Sequence, residues 1–177
     1  MPNRTFSKIP ILSTNRLILR QLAPSDNKEI FALRSDKEVN KFLDRQPSNS
    51  IDDATEFIKK IIDNNALYWA ITLRDQDMLI GTICLFGFSD ENCTCEIGYE
   101  LSPQFQGKGI LNEAAGEVIA YAFNTINVQR VLAFFHRENQ RTIRSLERLS
   151  FSKSNITDNT NPELICYELV SPKSNLK

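Results

Sequence analysis

Alternating apolar and polar positions first appear at Thr14-Asn15-Arg16-Leu17-Ile18-Leu19-Arg20-Gln21-Leu22, where Leu17 and Leu19 share one side and predict a strand. Pro24-Ser25-Asp26 starts a helix through about Arg34 with Ile30, Phe31 and Leu33 inward, and Asp36 caps a short second helix to Leu43. Pro47-Ser48-Asn49 breaks the chain. Ser50 and Asp53 then have capping-box spacing for a helix that turns Ala54, Phe57, Ile58, Ile61 and Ile62 inward. Tyr68 to Leu73 and Met78 to Phe86 read as strands joined by the polar turn Arg74-Asp75-Gln76-Asp77. A second polar turn, Gly87 to Asn92, leads into a third strand, Glu96 to Leu101. A long helix from Ile110 follows, broadly apolar at Ala114, Ala115, Val118, Ile119, Tyr121, Ala122 and Phe123. The strand Val128 to Phe135 runs parallel to Glu96–Leu101, because a helix long enough for a crossover connects them. The rest reads as a helix Gln140 to Leu149, a strand-like run Phe151 to Ile156, a polar loop Thr157 to Pro162 and a last strand Leu164 to Val170. Met1 to Ser13 is a loose lead-in and the tail from Ser171 is frayed. This mixture predicts one α/β (α+β) domain over residues 11–170, with flanking tails 1–10 and 171–177.

At 177 residues and 41% hydrophobic, the chain is long enough for one domain with a real core. A net charge of -1, with the basic residues scattered, argues against a nucleic-acid binder. No apolar run approaches the ~20 residues of a membrane span, and Asn3, Arg4, Ser7 and Lys8 leave no room for a signal-peptide core, so the expected location is the cytoplasm. Cys93-Thr94-Cys95 has no second ligand pair, and the one histidine, His136, is distant. No metal is therefore expected, and Cys84, Cys93, Cys95 and Cys166 read as reduced thiols.

The segment Glu96 to Ala115 carries the chemistry. A strand ends at Pro103, a loop Gln104-Phe105-Gln106-Gly107-Lys108-Gly109 follows, and a helix starts at Ile110. Such a helix start leaves N–H groups without intrahelical acceptors, and Gly107 and Gly109 let an anion approach the backbone, with Lys108 as a flanking charge. There is neither a third glycine of a dinucleotide fingerprint nor a Lys-Ser/Thr pair of a P-loop, so the anion expected is a phosphate or pyrophosphate other than a nucleoside triphosphate.

This block, together with Asn139-Gln140-Arg141-Thr142-Ile143-Arg144-Ser145-Leu146-Glu147-Arg148-Leu149-Ser150-Phe151, resembles the GCN5-related N-acetyltransferase (GNAT) family. Within it, the chain is similar to the ribosomal-protein N-terminal acetyltransferase subgroup. Gln104 to Gly109 matches the family's acyl-CoA signature, and Thr14 to Arg20 and Glu96 to Pro103 are typical of the subgroup. The resemblance implies a strongly bent mixed sheet of about seven strands flanked by helices, with the Glu96 and Val128 strands splayed around acetyl-CoA. The reaction implied is transfer of acetyl to a primary amine, most simply a protein N-terminus. A polyamine, amino acid or aminoglycoside is the alternative acceptor, and a non-catalytic acyl-CoA-binding domain is the alternative of another class. The protein is expected as a monomer or homodimer.

Site residues follow from the resemblance and from residue chemistry together. Glu96 is the candidate general base, since a protonated amine must lose its proton before attack; on an extended strand it shares a side with Gly98 and Glu100. A solvated or salt-bridged Glu96 is the alternative. The pantetheine arm is expected on the backbone of Tyr99, Glu100 and Leu101, with the Leu101 N–H facing the developing oxyanion. The pyrophosphate is expected on the N–H groups from Gln106 through Gly107, Lys108, Gly109 and Ile110 to Leu111. Asn139 corresponds to an Asn that bonds pantetheine in the family, and also suits a helix N-cap. The family's usual thiolate-protonating Tyr is Leu146 here. Thr142, in the subgroup's Ser position, is expected near the CoA sulfur, with an ordinary helix-start Thr as the other reading. Ser150 replaces the glycine of the family's helix-closing turn, predicting a looser helix end. His136 reads as structural, and Trp69 as core or as a wall of the acceptor pocket.

Overall fold

The computed structural model describes residues 9–172. Strand β1 (Leu12–Ser13) pairs with β2 (Leu17–Gln21), in which Leu17 and Leu19 are fully buried, as their alternation predicts. The lead-in is not loose where it is described. Ile9 is buried in the core and the Pro10 carbonyl accepts the Trp69 indole N–H at 2.8 Å, because a buried indole needs an acceptor; residues 1–8 lie outside the described part. At the other end the Ser171 N–H donates to the Gln129 carbonyl at 2.8 Å, so the tail is anchored at its first residue.

Helix α1 (Asn27–Ser35) follows a 3-10 turn at Pro24–Asp26, and α2 (Lys37–Asn40) is capped by Asp36, which accepts from the Val39 N–H at 2.9 Å. That helix stops at Asn40 rather than Leu43. The Asn40 side chain turns back to donate to the Asp36 and Arg34 carbonyls at 2.7 and 3.0 Å, tying α2 to the end of α1. The capping box of α3 (Ile51–Asp63) is complete: Ser50 Oγ accepts from the Asp53 N–H and Asp53 accepts from the Ser50 N–H, both at 3.1 Å.

Strands β3 (Tyr68–Leu73), β4 (Leu79–Ser89) and β5 (Thr94–Leu101) form an antiparallel meander. It is followed by α4 (Ile110–Tyr121), which ends in a π turn, and by β6 (Arg130–His136), α5 (Gln140–Arg148), β7 (Ser152–Lys153) and β8 (Leu164–Val170). All eight strands form one sheet in the order β1-β2-β3-β4-β5-β6-β8-β7, one strand more than expected because the lead-in contributes β1. The run Phe151 to Ile156 pairs only at Ser152 and Lys153, since Phe151 turns into the core. One side of the sheet packs on α4 and α5 through Trp69, Ile71, Ile97, Val118 and Leu146, and the other on α1 and α3 through Ala70, Ile30, Leu33 and Ile58. Alternate residues of β3 therefore serve two cores.

Strands β5 and β6 pair in parallel only from Thr94 to Glu96 against Arg130 to Leu132, after which they run on without pairing, β5 to Leu101 and β6 to His136. This splay opens the sheet at its centre. No helix among the described residues is long and apolar enough to cross a membrane, and none of the four cysteines is in a disulfide.

Candidate active site

The Gly loop lies at the mouth of the splay. Gly107 and Gly109 have φ of 76° and 73°, values that a side chain would strain, and a Cβ on Gly107 would meet nothing within 4 Å. Gly109 is the residue before α4 and offers no capping side chain, so the first N–H groups of the helix are left to a ligand. The loop is clamped from the β1–β2 turn. Glu113 accepts from Thr14 Oγ1 (2.5 Å), the Arg16 N–H (3.0 Å) and Arg16 Nε (2.6 Å), while Arg16 Nη1 donates to the Lys108 carbonyl at 3.1 Å. Burial alone would raise the Glu113 pKa, but these hydrogen bonds outweigh it and hold the carboxyl below its ordinary value. Gln106 departs from its expected role. Its N–H is taken by the Pro103 carbonyl (3.2 Å), and its side chain ties the loop to the Leu101 carbonyl (2.8 Å) and to Arg141, which leaves Gly107 to Leu111 as the N–H set. Gln104 is exposed and Lys108 lies beside the Phe105 ring.

Backbone alternation decides which β5 amides face the gap. The Ser102 N–H donates to the Ile80 carbonyl of β4 at 2.9 Å, so those of Leu101 and Tyr99 point to the opposite edge, where β6 has diverged. A ligand bearing amides can pair there as an added strand. Glu100 points its N–H toward β4 instead, and its side chain is buried against Arg45. This expected cofactor residue therefore offers the gap neither side chain nor N–H.

Glu96 stands half-buried at the start of the splay. Gly87 makes its place: a Cβ there would stand 2.5 Å from Glu96 Oε1, and the glycine sits in a bulge of β4 between Phe86 and Ser89. Burial raises the Glu96 pKa, and so does the charge of Asp158. Asp158 is itself held ionised by hydrogen bonds from Thr160 Oγ1 (2.5 Å), the Thr160 N–H (2.7 Å) and the Asn161 N–H (2.9 Å). A carboxylate so placed is a better base than an exposed one.

Across the gap, Asn139 is the N-cap of α5, accepting from the Thr142 N–H at 3.1 Å. The Tyr99 hydroxyl is buried beside Thr142 and Ser145. Burial pushes its pKa up to about 12, against the opposing effect of those two hydroxyl groups. Leu146 is fully buried, so this position belongs to the core and not to the cleft. His136 stacks on Phe42 with centroids 5.5 Å apart and accepts the Glu138 N–H through Nδ1, a structural role at the rim.

The sequence from residue 16 to 152 matches the model of the acetyltransferase (GNAT) domain. The chain belongs to the GNAT family. It is accordingly an N-acetyltransferase that uses acetyl-CoA. An uncharacterised N-acetyltransferase of Bacillus subtilis, YoaA, is 30% identical over 174 residues, covering 93% of this chain and 98% of that one. The spermidine N(1)-acetyltransferase of Vibrio cholerae is 24% identical over 77% of this chain and 79% of its own. Among solved structures, RimL, a ribosomal L7/L12 alpha-N-protein acetyltransferase in complex with coenzyme A, superposes with a TM-score of 0.79 at 18% identity, covering 91% of this chain and 98% of that chain.

This GNAT site also uses residues to which sequence reasoning gave no role. Arg16 and Arg141 hold the Gly loop, Gly87 makes room for Glu96, Asp158 tunes it, and Arg45 neutralises Glu100. Arg16 and Arg141 lie in segments that carry the family resemblance and Gly87 opens a turn legible in the sequence, whereas Arg45 and Asp158 come from separate loops with no local signature.

Proposed function

We propose that this enzyme acetylates the α-amino group of a protein N-terminus. GNAT relatives with different acceptors share this architecture, so the acceptor has to be read from this chain's own side chains. The observation that carries the reading is the state of the two carboxylates on one side of β5. Glu100 is neutralised by Arg45, which leaves Glu96, with Asp158 behind it, as the place for a single ammonium group. A polyamine would bring further positive charge toward Arg45, whereas a chain N-terminus brings one.

Bound acetyl-CoA supplies an electrophilic thioester carbon, whose C–S bond breaks as the new C–N bond forms. Gly107 to Leu111 would hold the pyrophosphate with their N–H groups, and the Tyr99 and Leu101 edge of β5 the amides of the arm. Glu96 takes the proton of the attacking amine. The Leu101 N–H faces the developing oxyanion. The hydroxyl groups of Thr142 and Tyr99 lie together on the opposite side, where a proton can be returned to the departing thiolate.

Thiol release with a panel of amines tests the assignment. Peptides with a free N-terminus are expected to turn over and N-formylated ones not, and Glu96→Gln should lower kcat by about 10²-fold or more. Turnover of spermidine with all peptides silent overturns the acceptor. Binding of acetyl-CoA without thiol release from any amine returns the non-catalytic alternative.

A further inference from the structure

The acceptor side of β5 ends in a buried cluster that acetyl transfer leaves without a task. Glu100 accepts from Thr82 Oγ1 at 3.1 Å through one oxygen, and Thr82 Oγ1 lies 3.1 Å from the Tyr68 hydroxyl. The other oxygen forms an ion pair with Arg45 Nη2, and neither atom makes a further hydrogen bond. Arg45 is held from behind by Asn40, whose Oδ1 accepts from Arg45 Nε at 2.8 Å. A second guanidinium, that of Arg34 at the end of α1, lies 4.0 Å from the Phe57 ring centroid, and its Nε is buried without a hydrogen-bond partner. Burial and the charge of Arg45 both lower its pKa, with Glu100 opposing. Glu100 thus pairs with Arg45 alone, while the half-buried Arg34 guanidinium has no ion-pair partner of its own among the described residues, and a partly desolvated cation without a paired anion is unfavourable. A second carboxylate would relieve that.

Building on the N-terminal acceptor, we infer that Arg34 and Arg45 receive an acidic side chain from the first few residues of the acceptor chain, so that the enzyme selects N-termini with a nearby Asp or Glu. Glu96 and Glu100 lie on the same side of β5, about 13 Å apart at roughly 3.3 Å per residue. An extended chain with its amine at Glu96 therefore carries its second to fourth side chain past Arg45. A free amino acid is too short to reach both ends. The connection from α2 to α3 crosses this path, with Phe42 stacked on His136 at the end of β6 and Arg45 on β5, so an entering chain must pass beside the guanidinium groups.

The test compares N-terminal peptides identical except for Glu or Gln at positions two to four, with wild type, Arg34→Gln and Arg34→Lys. Wild type should prefer the Glu peptide by about tenfold in kcat/KM, mainly through KM, as a charge-assisted contact gives. Arg34→Gln should bring the two peptides within about twofold of each other, and Arg34→Lys should keep most of the preference. Acetyl-CoA should raise the melting midpoint of each variant as it does that of wild type, which shows that the fold and cofactor site are intact. Peptides acetylated by wild type without regard to Glu or Gln, or a preference that persists in Arg34→Gln, overturn this inference and leave the N-terminal acceptor standing. Turnover of spermidine alone overturns both. Acetylation of free amino acids, which are too short to reach Arg34 from Glu96, in place of peptides overturns both the inference and the N-terminal acceptor.

Discussion

The base role proposed for Glu96 rests on its burial and on two neighbours, Gly87 and Asp158. Gly87 gives its carboxylate room, burial removes water from it, and Asp158 adds a like charge. The last two effects both disfavour the ionised form, so the folded protein keeps Glu96 protonated to a higher pH than an exposed glutamate. A base works only when deprotonated, and activity should therefore fall on acidification at a pH above the ordinary glutamate range. Asp158→Asn removes the repulsion, lets Glu96 ionise at lower pH and should move the acidic limb of kcat/KM downward; Glu96→Gln should abolish that limb together with most of the rate. A limb that does not move in Asp158→Asn would mean that the two carboxylates do not interact in solution.

At the scale of elements, the end of α5 shows how the chain closes a turn with an unfavourable residue. Ser150 has a φ of 66°, and its N–H donates to the Glu147 carbonyl at 3.0 Å while that of Phe151 donates to Leu146 at 3.0 Å, a complete Schellman closure. The looser helix end expected from the missing glycine is not found, because Phe151 is drawn into the core and pins the turn. The strain stays in Ser150. Ser150→Gly should stabilise the protein by about 1 kcal/mol, raising the thermal midpoint by roughly 2–4 °C without changing the KM for acetyl-CoA; an unchanged or lower midpoint would place the cost elsewhere. The same contrast describes what was legible in the sequence. The strand, Gly loop and helix from Glu96 to Ala115, and the cap at Asn139, could be read because their residues act within a few positions of one another. The Arg16–Glu113 clamp, the Asp158–Glu96 repulsion and the Arg45–Glu100 pair could not, since each joins residues that only the finished sheet brings together. Glu100 was misread for this reason. Strand alternation places it beside Glu96, but nothing local shows that a loop arginine will neutralise it.

Across the described molecule, the eight strands form one sheet, and its neighbouring central strands β5 and β6 part after Glu96 and Leu132, which leaves an inner edge of β5 to which a ligand could add. The backbone of β5 beyond Glu96 thus has two unequal edges. Gly98 and Glu100 turn their N–H groups to β4, while Tyr99 and Leu101 turn theirs to the gap, an alternation anchored by the Ser102 bond to Ile80. An edge of this kind is exposed in the free protein and covered when an amide-bearing ligand adds to it. Hydrogen exchange should show the alternation directly. In the free enzyme the amides of Tyr99 and Leu101 should exchange faster than those of Gly98 and Glu100, and acetyl-CoA should slow the first pair while hardly changing the second. Gly107→Glu places a carboxylate where the pyrophosphate would rest, so it should prevent the change at Tyr99 and Leu101 although it lies outside the strand. If all four amides slow together, the cofactor stiffens the sheet as a body and does not extend it. If none responds while acetyl-CoA still turns over, the arm binds away from this edge and the role given to the Leu101 N–H is lost.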